Sequence, residues 1–252
     1  MKEILIISDF VAKGKISANI MVPVLAYKNY NTYFVPTALI SNNFDYGKAA
    51  VVETYGFMKE SFDIYKSLGF LFDIIFIGYV EDHRQKDLII EFIQELDNKP
   101  LIVFDPIMGD NGKLYKGVSD EKIEIYKDLL DFSDITLPNF TEAKFLELLD
   151  YDKLLLDNRK YVITSVNEDD NYYNLGISDH ISKAGFDKMP IKVGGTGDLF
   201  DAIFLSKYLD EKDFDKAISY GVEKMSQILR LHNENHPDSN DIYIESYLKL
   251  LD

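Results

Sequence analysis

The chain has 252 residues, a formal net charge of -16 at pH 7 and no cysteine. A charge of this sign repels phosphate backbones and anionic lipid surfaces, so we expect no nucleic-acid or membrane partner. Without cysteine, disulfides, thiolate metal sites and thiol catalysis are excluded. Apolar residues make up 46% of the chain, as in globular proteins, and we expect one cytoplasmic domain over residues 1–252.

Short apolar runs alternate with stretches of helical spacing along most of the chain. Continuous apolar runs predict buried strands over residues 3–8, 32–37, 73–78, 101–105, 135–138 and 161–166. Periodic apolar spacing predicts helices over residues 17–29, 47–68, 83–97, 120–131, 140–150, 198–209, 213–232 and 241–251. This alternation indicates an α/β fold with a central, mainly parallel sheet and helices on both faces.

Residues 171–191 interrupt the alternation with short polar and apolar stretches that lack helical spacing. This pattern predicts a few antiparallel edge strands beside the parallel sheet. Open α/β sheets bind ligands outside the carboxyl ends of their strands. The residues that directly follow each predicted strand are therefore the first candidates for function.

The segment KVGGTGDLFDA, residues 192–202, places three glycines around Thr196 and continues directly into a helical pattern. A glycine turn that opens a helix gathers free amides at the positive end of the helix dipole, which suits a phosphate or an oxyanion. The spacing is neither that of a Walker A motif nor that of a dinucleotide-binding fingerprint. Asp198 is either a general base for an attacking hydroxyl or an ordinary first-turn acid.

Two further polar segments follow predicted strands. The segment DPIMGDNGKLY, residues 105–115, is either an ordinary turn or a loop that brings Asp110 and Lys113 to a nucleotide or metal. In TLPNFTEA, Asn139 and Glu142 stand three residues apart, a spacing that fits either a Mg²⁺ site or a capping box. Together with the glycine segment, these residues describe a metal-assisted phosphoryl transfer site.

Two other motifs have simpler interpretations. His232 and His236 have the helical spacing of a metal-binding pair, but their polar, proline-terminated surroundings favour a solvated helix end. Tyr79 follows a glycine at a strand end and is placed to lie against a flat ring.

Taken in order, these segments resemble the pyridoxal kinase branch of the ribokinase-like family, a branch that is related to kinases of the phosphomethylpyrimidine type. The resemblance spans nearly the whole chain and rests on GYV, DPIMGDNGKLY, TLPNFTEAKFL, GGTGDLF and the segment GKISANIMVPVLAYKNYNTYFVPTALIS. It implies a ribokinase-like fold and an ATP- and Mg²⁺-dependent kinase that phosphorylates the 5'-hydroxymethyl group of pyridoxal, pyridoxine or pyridoxamine. It also implies a homodimer, and it leaves a need for a monovalent cation open.

The resemblance assigns roles to individual residues. It implies that Asp198 is the general base and that the anion hole is formed by Gly195, Thr196 and Gly197. It implies that the metal is organised by Asn139, Glu142 and Asp105. The ATP-binding residues that it implies are Asp105, Asp110, Lys113, Tyr115, Thr164 and Gly194. The substrate-binding positions that it implies are Asp9, Val11, Asn42, Asn43 and Tyr79.

The sequence departs from the family pattern at several of these positions. Relatives usually have serine at the position of Val11 and Thr-His near Asn42 and Asn43, and many have a small residue at the position of Asp201. These departures leave two alternatives open. One is a hydroxymethylpyrimidine kinase, although SDFVAKGK lacks the glycine-rich first loop of that branch. The other is a non-catalytic ligand-binding or regulatory relative.

Overall fold

The computed structural model describes residues 1–252, apart from the side chain of Asp45. The strands are β1 (Glu3–Val11), β2 (Asn31–Ile40), β3 (Val51–Glu53), β4 (Ile74–Ile77), β5 (Leu101–Phe104), β6 (Gly109–Asp110), β7 (Lys113–Leu114), β8 (Ile135–Thr136), β9 (Lys160–Glu168), β10 (Asn171–Ile177) and β11 (Ile181–Phe186). The α-helices are α1 (Ala18–Tyr27), α2 (Tyr55–Ser67), α3 (His83–Gln94), α4 (Asp120–Leu130), α5 (Phe140–Phe145), α6 (Tyr151–Leu155), α7 (Thr196–Glu211) and α8 (Phe214–Asn235).

Within the described residues, a nine-stranded sheet runs in the order β11-β10-β9-β8-β5-β4-β1-β2-β3. The strands from β9 to β2 are parallel to one another. β3 pairs antiparallel with β2, and β10 and β11 form an antiparallel hairpin beside β9. β6 and β7 form a separate small hairpin. The predicted α/β class, the mainly parallel sheet and the antiparallel edge strands are confirmed.

Helices cover both faces of the sheet, and alternate side chains of β1 serve two different cores. Ile4 and Ile6 pack in the core with α1, α7 and α8. Leu5 and Ile7 pack in the opposite core with α2, α3 and α4. Burial on both sides explains why the central strands are continuous apolar runs in the sequence. The six predicted strands are all present, as β1, β2, β4, β5, β8 and β9.

Three of the predicted helices differ from the structure. The helix predicted over 47–68 begins only at Tyr55, because β3 lies in its first part and pairs with β2. The helix predicted over 140–150 ends at Phe145, since Glu147 has a positive φ of 59° that interrupts the helical backbone. Instead of the helix predicted over 241–251, the chain forms two short 3-10 helices.

The C-terminal segment also changes the environment of the histidine pair. His232 is buried, and its ring lies 5.9 Å from that of Tyr243 and 6.1 Å from that of Tyr247. The prediction of a solvated helix end is therefore wrong for His232, because the residues after α8 fold back over it. Among the described helices, none has the length and apolar character needed to cross a bilayer.

The stacked pair Phe62 and Phe92, with ring centroids 4.2 Å apart, provides a test of the core beneath α2 and α3. Phe92 is 1% exposed, whereas Phe57 on α2 is 56% exposed. We expect Phe92→Ala to lower the free energy of unfolding by about 3–5 kcal/mol in urea denaturation, because it leaves a cavity. The matched change Phe57→Ala should stay within about 0.5 kcal/mol of wild type. Similar losses for both variants would contradict this packing.

Candidate active site

The carboxyl ends of the parallel strands bring together five buried carboxyl groups. They belong to Asp9, Asp105, Glu142, Asp198 and Asp201, and we call them the acidic cluster. Burial is the largest cause of the raised pKa values of Glu142 and Asp198, and repulsion adds to it, from Asp105 on Glu142 and from Asp9 on Asp198. β1 lies where the strand order reverses direction, the position at which open α/β sheets bind ligands.

The glycine segment forms the start of α7, as its sequence predicts. Gly195 precedes the helix with a left-handed φ of 77°, and a side chain there would overlap the Lys15 carbonyl oxygen. The first intrahelical bond runs from the Leu199 amide to the Gly195 oxygen at 3.0 Å. The amides of Thr196 and Gly197 lie before that bond, at the positive end of the helix dipole. This geometry can accept an anion.

One predicted member of the glycine segment has a structural partner of its own. The Gly194 amide donates to the Asn240 carbonyl oxygen at 3.0 Å. This bond anchors the segment to the chain beyond α8. The C-terminal residues therefore help to hold the start of α7 in place.

Asp198 lies in the first turn of α7, as both interpretations of its role require. Its carboxylate accepts hydrogen bonds from its own amide and from the amide of Ser17, which has a positive φ of 51°. The pKa of Asp198 is raised to about 6, and burial is the largest cause of this shift. Such a carboxylate is ionised at neutral pH and basic enough to accept a proton.

Ser17 connects Asp198 to the end of β1. The Ser17 hydroxyl donates to the Asp9 carbonyl oxygen at 2.9 Å, and it lies 2.9 Å from the Ser8 hydroxyl. Burial raises the pKa of Asp9. Ser17 could not be identified from the sequence, because its contribution depends on an unusual backbone conformation that leaves no pattern there.

Asn139 and Glu142 form the capping box that their spacing permits. The Asn139 Oδ1 accepts from the amides of Thr141 and Glu142 at 2.9 and 3.1 Å, and the Glu142 Oε2 accepts from the Asn139 amide at 2.9 Å. The Glu142 Oε1 also accepts from the amides of Met108 and Gly109 at 3.1 and 3.4 Å. Glu142 therefore ties α5 to the segment after β5, and its metal role stays a prediction.

The segment predicted as a turn or loop forms the β6–β7 hairpin. The Asp110 carboxylate accepts from the Asn111 amide and side chain at 2.6 and 2.9 Å. The Gly112 amide donates to the Thr141 hydroxyl at 2.8 Å, which holds the hairpin over the start of α5. Lys113 is exposed on β7. Tyr115 is 46% exposed, and partial desolvation together with nearby carboxyls such as Glu142 raises the pKa of its hydroxyl, which stays protonated.

Tyr79 lies just after β4, the strand that pairs with β1. The Lys122 ammonium group is 4.5 Å from the centre of its ring, and the Tyr79 hydroxyl donates to Glu81. The Thr37 hydroxyl donates to the Tyr79 carbonyl oxygen at 2.7 Å. Burial, Glu81 and Asp9 raise the pKa of Tyr79. Lys122 was missed because it lies in an ordinary amphipathic pattern, and it is buried only through contacts with the chain after β4.

The remaining predicted substrate positions lie at the last residue of β1 and in the loop after β2. Val11 is 1% exposed and packs in a small apolar cluster with Ala38 and Ile40. The Asn42 side chain donates to the Asn43 and Lys48 carbonyl oxygens at 3.0 and 2.8 Å. Its amide group therefore holds its own loop together. The Asn43 side-chain amide faces the glycine segment at residue 194.

Thr164 lies on β9, next to the predicted metal segment. Its amide donates to the Pro138 carbonyl oxygen at 2.9 Å, and it is bridged to Asn139 in parallel register. Within the described residues, no group of three or more His, Asp or Glu side chains is arranged as a preformed metal site. Carboxylate oxygens do fit Mg²⁺, which often binds one or two carboxylates together with water and phosphate.

No protein-family model matches the chain. A candidate pyridoxal kinase of Schizosaccharomyces pombe is 26% identical over 245 residues, covering 86% of this chain and 77% of that protein. The structure of a candidate phosphomethylpyrimidine kinase of Bacteroides thetaiotaomicron with pyridoxal is 25% identical, with a TM-score of 0.88 over 99% of this chain and 95% of that one. Pyridoxal kinase of Leishmania donovani, in complex with ADP and pyridoxamine, shares the fold at 18% identity, with a TM-score of 0.89 over 100% and 96% of the two chains.

A parallel sheet that ends at a glycine turn, a helix start and a cluster of carboxyls is the arrangement of a ribokinase-like protein. Within that class, the similarity to curated pyridoxal kinases and to solved structures of such kinases supports the pyridoxal kinase branch of the ribokinase-like family.

The left-handed backbone conformation of Gly195 can be tested by substitution. We expect Gly195→Ala to lower the free energy of unfolding by about 1–3 kcal/mol from backbone strain alone, with steric overlap adding to the loss. Gly197 has open space where a side chain would project, so Gly197→Ala should be neutral or stabilising by up to about 1 kcal/mol. Thermal unfolding of both variants measures the difference. Equal effects would show that the fold does not require a left-handed conformation at residue 195.

The raised pKa of Asp198 predicts an unusual dependence of stability on pH. An unfolded aspartate titrates near 3.9, whereas this carboxyl titrates at about 6 in the folded protein, so the folded state holds the proton more tightly. Wild type should therefore lose stability relative to Asp198→Asn as the pH rises from about 4 to about 7. Urea denaturation in EDTA at several pH values measures this difference. Parallel stability curves would show that the carboxyl is not shifted upward.

Proposed function

We propose that the chain is an ATP- and Mg²⁺-dependent kinase that phosphorylates the 5'-hydroxymethyl group of pyridoxal, pyridoxine or pyridoxamine. The observation that carries this proposal is the buried Asp198 carboxylate beside the free amides at the start of α7. The family relationship supports the substrate class, since one structural neighbour contains pyridoxal and another contains ADP and pyridoxamine. In this proposal the whole of residues 1–252 forms the kinase domain.

Asp198 would act on the hydroxyl group that accepts phosphate. As the substrate oxygen forms a bond to the γ-phosphorus, the bond to the ADP oxygen breaks and the hydroxyl proton passes to the Asp198 carboxylate. The Ser17 amide holds this carboxylate in place, while burial keeps the pKa of Asp198 at about 6. A base of this strength is ionised at neutral pH before each turnover.

The start of α7 would bind the group in transfer. Thr196 and Gly197 present backbone amides at the helix start, and the left-handed Gly195 directs the chain into that turn. Fixed donors that meet developing negative charge lower the barrier, because they need no rearrangement during the reaction. The nearby acidic cluster repels phosphate, so these amides also have to offset that repulsion.

The residues after β5 and β8 would hold the nucleotide and Mg²⁺, which neutralises phosphate charge when it is bound. Asp105 would lie nearest to the metal. Asn139 and Glu142 already accept several amide hydrogen bonds, so they would act on the metal through water. The nucleotide would be covered by the β6–β7 hairpin with Asp110, Lys113 and Tyr115, and would meet Thr164 and the Gly194 segment.

The residues near β1 and β4 would recognise the pyridine ring. Asp9 and Tyr79 face the same region, and Lys122 fixes the Tyr79 ring by its contact at 4.5 Å. Val11, Asn42 and Asn43 would complete the ring site. A homodimer, a cytoplasmic location and a monovalent-cation requirement are further parts of the proposal and rest on the family resemblance.

The proposal is tested by product formation from ATP, Mg²⁺ and separate samples of pyridoxal, pyridoxine, pyridoxamine and hydroxymethylpyrimidine. We expect phosphorylated vitamin B6 from wild type, and a loss of roughly 10²- to 10⁴-fold in kcat for Asp198→Asn, because the proton acceptor is removed. ATP affinity should change little. Asp210→Asn is the matched control, since Asp210 lies exposed at the other end of α7 and should leave turnover unchanged.

Three outcomes would contradict the proposal. Near-normal turnover by Asp198→Asn would exclude the general-base role. Preference for hydroxymethylpyrimidine would indicate a hydroxymethylpyrimidine kinase instead. ATP binding without turnover of any of the four compounds would favour a non-catalytic relative.

A further inference from the structure

Asp201 is a buried carboxyl that the proposed reaction does not use. It lies one helical turn after Asp198 on α7 and is 2% exposed. Its Oδ2 atom is buried and has no hydrogen-bond partner. An ionised oxygen in this position costs substantial free energy unless a proton or a cation compensates it.

The neighbours of Asp201 add negative charge. Its carboxyl is in hydrogen-bond contact with that of Asp105. The carboxyls of Asp198 and Glu142 are also buried and act electrostatically on Asp201. The electrostatic environment therefore favours a positively charged ligand beside this carboxyl.

Hydrogen bonding separates the pair Asp105 and Asp201 from the rest of the acidic cluster. Glu142 accepts from three backbone amides, and Asp198 accepts from two. These carboxylates already have donors. No N–H or O–H of the described residues donates to the buried Oδ2 of Asp201, whose carboxyl contacts that of Asp105. A cation with bound water can contact both carboxylates and that oxygen at once.

We propose that Asp201 and Asp105 form a divalent-cation site that binds Mg²⁺ or Mn²⁺ before the nucleotide arrives, with Asp201 as a direct ligand. The inference deepens the proposed function and rests on it for the use of the cation. Mg²⁺ keeps several water ligands when two carboxylates hold it. Those water positions would remain open to phosphate oxygens, so a cation held here would offset the repulsion between the acidic cluster and ATP.

The test is Mn²⁺ binding to the nucleotide-free protein, followed by electron paramagnetic resonance and isothermal titration calorimetry after removal of metals with EDTA. We expect wild type to bind Mn²⁺, and Asp201→Asn and Asp201→Ala to bind it more than about tenfold more weakly, a loss typical even of residues that only support a metal ligand. The Asp210→Asn variant should bind like wild type. Mn²⁺ should also raise the unfolding temperature of wild type but not that of Asp201→Ala.

Both Asp201 variants remove a buried carboxyl group whose Oδ2 has no donor, so we expect them to fold, and their unfolding transitions without metal provide the check. The inference is overturned if wild type binds no Mn²⁺ without nucleotide, or if either folded variant binds it like wild type. Stability that depends on pH at Asp201 but not on Mn²⁺ would mean that the pair holds a proton, and this also overturns it.

The kinase assay separates this inference from the proposed function. Wild type that phosphorylates a vitamin B6 compound but binds no Mn²⁺ alone would overturn only the cation site. Wild type that binds Mn²⁺ through Asp201 but phosphorylates none of the compounds would overturn only the proposed substrate.

Discussion

The packing of five carboxyls at one edge of the sheet is the constraint on which this site depends. Asp9, Asp105, Glu142, Asp198 and Asp201 come from four strand ends or helix starts that are far apart in the sequence. Like charges at this density destabilise a fold unless amides, protons or cations compensate them. The edge where parallel strands end is suited to such compensation, because backbone amides beyond the last hydrogen bond of the sheet can turn toward side chains.

The carboxyls of the cluster differ in the hydrogen-bond donors that compensate their charge, and this difference separates their roles. Glu142 joins three segments through backbone amides, so it is above all a structural group. Asp198 is held by the Ser17 amide at a backbone conformation that most residues avoid. Asp201 keeps one oxygen without a donor. Groups of the same chemical type therefore differ in what they can still bind.

Local patterns predicted most of the fold, because central strands covered on both faces must be continuous apolar runs. The errors lie where long-range pairing overrides local spacing. β3 replaces the first part of the helix predicted over 47–68, since it gains hydrogen bonds from β2. Beyond residue 241, apolar residues at helical spacing instead anchor tight turns, and Ile244 and Leu251 are buried in the core with α8.

By itself, the sequence determined the candidate chemistry. It placed glycines before the start of α7, an aspartate in its first turn, and Asn139 and Glu142 at the spacing of either a capping box or a metal site. Tertiary structure decided that the capping box forms, and it determined which carboxylate oxygens remain open. A sequence records spacing along the chain, whereas the donors for these oxygens come from distant residues such as Ser17 and Met108. Hydrogen-bond satisfaction depends on distances across the fold, and only the folded chain sets them.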